Sequence, residues 1–231
     1  MSAGDDEPIE PRQGSPEQDP DGGRAYGGLG TRERRAARRA RMMDAATELF
    51  GQREGWTLAT VEKVCGQAGV ATRSVYEEFG GREGLLLAVY AEVVTGATAA
   101  IDAALVDAGC IDLPTRVRRA ITAYVTYVTT DPRRARIAHV SMRRAGDWAH
   151  AARAASLRKF TGRIHETLSG LSGHARSEEW NALAAAAVSG GVNELIAYWA
   201  QEDQPPDPAV LIELIVGFIS ALLAAPTETA S

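Results

Sequence analysis

Residues 69–79, GVATRSVYEEF, gather much hydrogen-bonding capacity into two turns. Thr72, Arg73 and Ser74 follow one another, and Tyr76 comes soon after. Two hydroxyls, a guanidinium and a phenol can donate to or accept from a polar partner. Only Val75 and Phe79, four positions apart, can anchor a helix here to a core. The pattern predicts a short helix over about 72–78 with Thr72, Arg73 and Ser74 as a solvent-facing front. Its chemistry is recognition, not bond making.

Residue sets for bond making are missing elsewhere. His165 and Glu166 are adjacent in IHETL, but no second histidine stands at the spacing of HExxH. There is no glycine-rich phosphate loop and no GxSxG. The two cysteines, Cys65 and Cys110, lie far apart, without CxxC spacing or a neighbouring histidine. They suggest neither a disulfide framework, nor a metal site, nor a nucleophile, and they fit a reducing cytoplasm. The start MSAGDDEPIE lacks the basic and apolar regions of a signal peptide. The reading is therefore not an enzyme, with no metal and no cofactor.

The elements that must position the front are helical. The chain has 231 residues, 45% hydrophobic and 24% charged, which allows one large domain or two small ones around a real core. No run alternates with period two. Helices are predicted over about 32–51, 60–67, 72–78 and 82–107, then from Pro114 to the TTDP motif, and again from Pro132. AGD at 145–147 breaks that last helix, and Asp147 caps one running to about 171. Ser177 with Glu178 opens another, to about 200, and Asp207 with Pro208 the last, to about 225. Two short helices joined at AGVA after a longer one form the layout of a helix-turn-helix, whose second helix enters the DNA major groove. Gly69 permits the left-handed residue that closes the first of them.

Residues 59–90, ATVEKVCGQAGVATRSVYEEFGGREGLLLAVY, closely resemble the DNA-binding segment of the tetracycline-repressor (TetR) family. Thr60 and Val61 match the start of the first short helix, Ala68, Gly69 and Val70 the turn, and Ser74, Val75, Tyr76 and Phe79 the recognition helix. Arg82, Glu83 and Leu85 match the opening of the next helix, and MMDAATELFGQREGW the first. The resemblance spans residues 36–90. Cys65 replaces a usual alanine, Arg82 a lysine, and Glu78 stands where a histidine or aromatic is common. The resemblance implies a bacterial transcriptional regulator with an all-α fold. An N-terminal three-helix helix-turn-helix domain at 31–90, with its motif at about 59–79, would precede a larger helical effector-binding and dimerisation domain at 91–231. It further implies that Thr60 and Tyr76 hold phosphates, that Arg82 adds its charge at a helix start, and that Thr72, Arg73 and Ser74 approach base edges.

Charge is unevenly spread. Residues 1–30 hold seven acids against two arginines and read as a disordered acidic tail. Residues 31–41, TRERRAARRAR, hold six arginines and one glutamate. Arg34, Arg35 and Arg38 in this arm are candidates for DNA contact, since residues 42–90 carry seven acids against four bases. The acidic tail would compete with DNA for those arginines. Glu77 and Glu78 put two acids near the DNA, Glu77 being read as a solvated helix residue.

The last two helices are apolar and rich in small residues. The stretch 209–225 holds one acid and barely reaches membrane-spanning length, so a protein interface, not a membrane, is the reading. Its stripe is too wide for one neighbour. In the resembling family the last two helices pair with their copies, which makes Val188, Leu195, Leu211, Leu214, Ile215, Phe218 and Leu222 the candidate dimer interface. A ligand pocket is likewise the family's implication. Polar or aromatic residues on otherwise apolar helices are its candidates: Tyr124, Tyr127, His139, Met142, Trp148, His165, Trp180 and Asn193. The partners implied are double-stranded operator DNA, a second copy of the chain and a small-molecule effector. The function is a sequence-specific repressor released by a small, largely apolar or aromatic ligand. The alternatives are a regulator whose C-terminal domain binds a protein, or a weakly specific DNA-binding protein.

Overall fold

A computed structural model describes residues 26–106, 112–169 and 176–224, and every regular element among them is helical. The elements are α1 (Tyr26–Phe50), α2 (Gly55–Leu58), α3 (Val61–Ala68), α4 (Thr72–Phe79), α5 (Arg82–Leu105) and α6 (Leu113–Thr130). Then come α7 (Pro132–Arg136), a π-helical turn (Ile137–Ser141), α8 (Met142–Arg144), α9 (Asp147–Ser169), α10 (Glu178–Gln201) and α11 (Pro208–Ala224). The predicted all-α fold is present. Residues 1–25 of the acidic tail, with its competition for the arginines, and Cys110 lie outside the described residues.

Helix ends follow the local chemistry. Thr60, Asp112, Asp131 and Ser177 cap α3, α6, α7 and α10 by accepting a backbone N–H each. Asp207 accepts from the Ala209 N–H at 2.7 Å at the start of α11. Asp147 does not cap: it is the first residue of α9, and Gly146, at φ 97°, makes the turn and accepts the first N–H groups through its carbonyl. Three features escaped prediction. α1 starts at Tyr26, inside the stretch assigned to the tail, because the arginine- and alanine-rich sequence after it propagates helix. α2 is a single turn. The π turn inserts one residue into the run 132–144, a change too small for apolar periodicity to register.

The chain divides into compact units Met1–Ala37 and Arg38–Ser231. In the first, the Arg34 side chain donates to the Thr31 hydroxyl at 3.3 Å. In the second, Met42, Ala46 and Phe50 of α1 pack with Val64, Val75, Leu85, Leu86 and Val89 from α3, α4 and α5. Each large side chain contributes roughly 1.5–3 kcal/mol by burial. The same cluster continues into Ile137 of the π turn and Met142 of α8, although α5 already carries the chain through the domain boundary expected at 90. A second cluster joins Val125 and Val128 of α6, Ile196 and Trp199 of α10, and Leu211, Ile215 and Ile219 of α11. By length and composition α5 could cross a membrane. Here it lies along α6 and lends the first cluster Leu85, Leu86 and Val89.

Candidate functional site

Gly69, at φ 62°, closes α3 and turns the chain into α4. Val75 is fully buried, so the opposite side of α4 faces out. Thr72 is exposed, the Arg73 side chain is 86% exposed, and Tyr76 is 55% exposed. Ser74 is buried, which corrects the expected solvent-facing front: next to Val75, it turns inward with the anchor side of the helix. Arg73 Nε donates to Glu77 Oε1 at 2.5 Å one turn on, so Glu77 is paired rather than merely solvated. Glu78 does not stand free near a partner. Its carboxylate meets Arg39 Nη1 at 3.3 Å, while the same guanidinium lies 4.6 Å over the Phe79 ring.

Arg82 also departs from expectation. It opens α5, but its guanidinium lies 3.8 Å over the Trp56 ring, with Nε and Nη2 buried and unbonded. Burial lowers its pKa from the ordinary value. Trp56 in turn stacks on Phe50 at 6.1 Å and meets Trp148 at 5.7 Å. Of the expected phosphate contacts, Thr60 is half-buried at the cap of α3 and Arg38 is half-buried on α1, while Arg34 and Arg35 are exposed in the first unit.

The second site is a cavity of about 530 Å³ between α5, α6, α9, α10 and α11, within the range of small-molecule sites. Of the ligand candidates named from the sequence, Tyr124, His139 and Asn193 line it. The other five candidates do not. Met142 and Trp148 belong to the cluster under the DNA-reading segment. Tyr127 packs its hydroxyl against α5 where Gly96 leaves room, for a Cβ there would lie 2.0 Å from it. His165 pairs with Glu178 at 2.9 Å, and Trp180 lies under the Arg176 guanidinium at 3.9 Å. Sequence reading missed Tyr90, Arg143, Arg153 and Ser156, which looked like ordinary polar residues of long helices.

One end of this cavity is polar. Tyr124 Oη lies 3.1 Å from His139 Nε2. The His139 ring is buried, Nδ1 has no hydrogen-bond partner, and burial, aided by Arg153 and Arg143, pushes its pKa down to about 3. Burial raises the Tyr124 and Tyr90 phenols. Arg143 donates to Glu194 at 2.6 Å, and Arg163 to Asp102 at 2.5 Å. Among the described residues no cluster of His, Cys, Asp or Glu is placed to hold a metal.

The candidate dimer residues divide by side. Val188, Leu211 and Ile215 are buried within the chain, because the core claims one side of each helix, and Leu195 and Leu222 are half-buried. Leu214 and Phe218 are exposed, together with Leu183 and Tyr198 of α10 and Val210 of α11.

An exposed polar helix fixed by a glycine turn, in front of an all-α body with a cavity, defines a helix-turn-helix regulator. Residues 42–89 match the family of bacterial regulatory proteins, tetR family, and the chain belongs to that TetR family. Solved structures share the fold. The fatty acid degradation regulator FadR from Bacillus halodurans superposes with a TM-score of 0.66 at 18% identity, over 81% of this chain and 95% of its own. FadR from Bacillus subtilis, in complex with stearoyl-CoA, does so with 0.64 at 18%, over 81% and 99%. A tetR-family regulatory protein from Rhodococcus RHA1 gives 0.63 at 22%, over 82% and 98%. No curated protein matches the sequence.

Proposed function

We propose that the chain is a cytoplasmic, homodimeric repressor that leaves its operator when a small, largely apolar ligand fills the cavity. The observation that carries this reading is the position of residues 137–142. Ala138 and His139 line the cavity, while Ile137 and Met142 pack with Met42 and Phe50 beneath the recognition helix. Ser141 Oγ donates to the Phe50 carbonyl at 2.7 Å. A ligand that moves the π turn therefore moves the base of α1. Coupling of this kind is typically about 1–3 kcal/mol.

In this reading Arg73, Thr72 and Tyr76 meet the DNA, with Thr60 at the phosphate backbone and Arg34, Arg35 and Arg38 as an arm. Arg73 must release Glu77 to grip a guanine. Ser74 and Arg82 act as packing residues instead. The exposed row of Leu183, Tyr198, Val210, Leu214 and Phe218 meets its copy, which suits a palindromic operator. The stearoyl-CoA bound by the Bacillus subtilis protein supports a small-molecule effector, and the cavity weighs against a protein partner in its place.

The test is binding to the DNA flanking the protein's own gene against random DNA of equal length, across a salt series. The reading requires a preference of about a thousandfold or more and a two-half-site footprint. Equal, salt-steep binding to both would reject it. Light scattering on the chain carrying both Leu214→Glu and Phe218→Glu should show a monomer; a dimer would move the interface elsewhere.

A further inference from the structure

We propose that the cavity's ligand is an amphiphilic acid, whose single negative charge pairs with Arg153 of α9 and whose apolar chain runs beside α5 towards Leu105. The inference rests on the ligand reading above and adds the ligand's charge and orientation. Four arginines line the cavity, and their partners differ. Arg143 is held by Glu194 through Nη2, although its Nε is buried without a partner, and Arg163 is held by Asp102. Arg153 and Arg116 form no salt bridge or hydrogen bond among the described residues. Arg153 is half-buried, and burial, then Arg143 nearby, lowers its pKa against the opposing pull of Tyr90 and Glu194. A partly desolvated cation without a close ion pair carries a cost, and a bound anion in direct contact lowers it.

Hydrogen-bonding groups cluster around Arg153, whose charge acts on Tyr90 and His139. Tyr90, Tyr124, His139, Ser156 and Asn193 all line this end. The buried Nδ1 of His139 has no well-formed hydrogen bond, only the Asn193 side chain nearby, and the ring is held neutral, so it can donate to a carboxylate oxygen. From Tyr90 to Leu105, both lining the cavity, α5 rises about 22 Å at 1.5 Å per residue. Along that length the lining is mostly apolar, with Val94, Ile101 and Leu105 from α5 together with Leu168 and Leu223, interrupted by Arg116 and by Arg163 paired with Asp102. One charged end and a long apolar remainder describe a long-chain carboxylate better than a planar aromatic.

The test is calorimetric titration of the full chain with palmitate, methyl palmitate and palmitoyl-CoA. Palmitate should bind about tenfold or more tightly than the ester, the factor that one retained charge pair supplies. Arg153→Gln should reduce that preference to within about twofold, and Arg153→Lys should keep most of it. Equal affinities for acid and ester, or a preference lost in Arg116→Gln instead, would overturn the assignment while leaving an apolar effector in place. Tighter binding of palmitoyl-CoA, unchanged in Arg153→Gln, would also overturn it, since the thioester is neutral and its phosphates sit elsewhere. Failure of all three probes to bind would reject the apolar-ligand reading together with the inference.

Discussion

Arg73 on α4 and Arg153 on α9 are both cations on helices, yet the molecule uses them in opposite ways. Arg73 projects into water and rests on Glu77, an exposed pair worth only about 0.3–0.5 kcal/mol and easily exchanged for a stronger partner. Arg153 is half-buried beside Arg143 and makes no salt bridge, the nearby Glu194 being paired with Arg143. The recognition helix keeps its cation ready by leaving it solvated. In the proposed reading the cavity keeps its cation ready because Arg143 engages Glu194. Between them lies one hydrophobic cluster, so each region is rigid through the packing that also supports the other.

The largest effect should come from breaking that shared support. Phe50→Ala removes a fully buried ring that stacks on Trp56 and should cost about 3–5 kcal/mol in thermal or denaturant unfolding. Operator binding and ligand binding should fall together; loss of one alone would mean the two regions are independent. Next, acid should weaken the cavity side. His139 titrates near 3 when folded and near its ordinary value of about 6.5 when unfolded, so between these the unfolded chain binds the extra proton. Stability therefore falls as pH drops, by about 2 kcal/mol from pH 7 to pH 5 for this group. Unfolding curves of His139→Gln at both pH values should lack that share of the loss. If the variant loses as much as the wild type, His139 is not the group responsible.

Arg73→Ala isolates the DNA side. Operator affinity should drop by about 1–3 kcal/mol and sequence preference should relax, with the melting temperature and ligand affinity unchanged. Unaltered affinity and preference would end its role as a base reader. Smallest is Glu77→Gln, which frees Arg73. Stability should change by less than about 0.5 kcal/mol in unfolding, while operator affinity rises slightly in a binding titration. A marked fall in affinity would show that Glu77 itself contacts a base.

The DNA-reading segment was largely legible because its determinants are local. Gly69, Val75 and Phe79 report the turn and the anchored side through spacing alone. Ser74 was misread because adjacent residues on a short helix straddle the boundary between its buried and exposed sides, and only the packing of α3 and α5 places that boundary. Arg82 was misread because Trp56, which takes its guanidinium, lies far back in the sequence on a single helical turn. Of the ligand candidates, Tyr124, His139 and Asn193 line the cavity. A tyrosine on an apolar helix carries no mark of whether it faces a cavity, as Tyr124 does, or fills a notch at Gly96, as Tyr127 does.

By itself the sequence determined the all-α class, the helix openings at Thr60, Ser177 and Asp207, the glycine turn and the family. These depend on hydrogen bonds and apolar spacing within a few residues. Only the tertiary structure decided which face of α10 and α11 is left outside, where the π turn links cavity to core, and that Glu194 pairs with Arg143 and leaves Arg153 without a salt bridge. Those properties are set by what other helices bring near a side chain, and that depends on packing between segments distant in sequence.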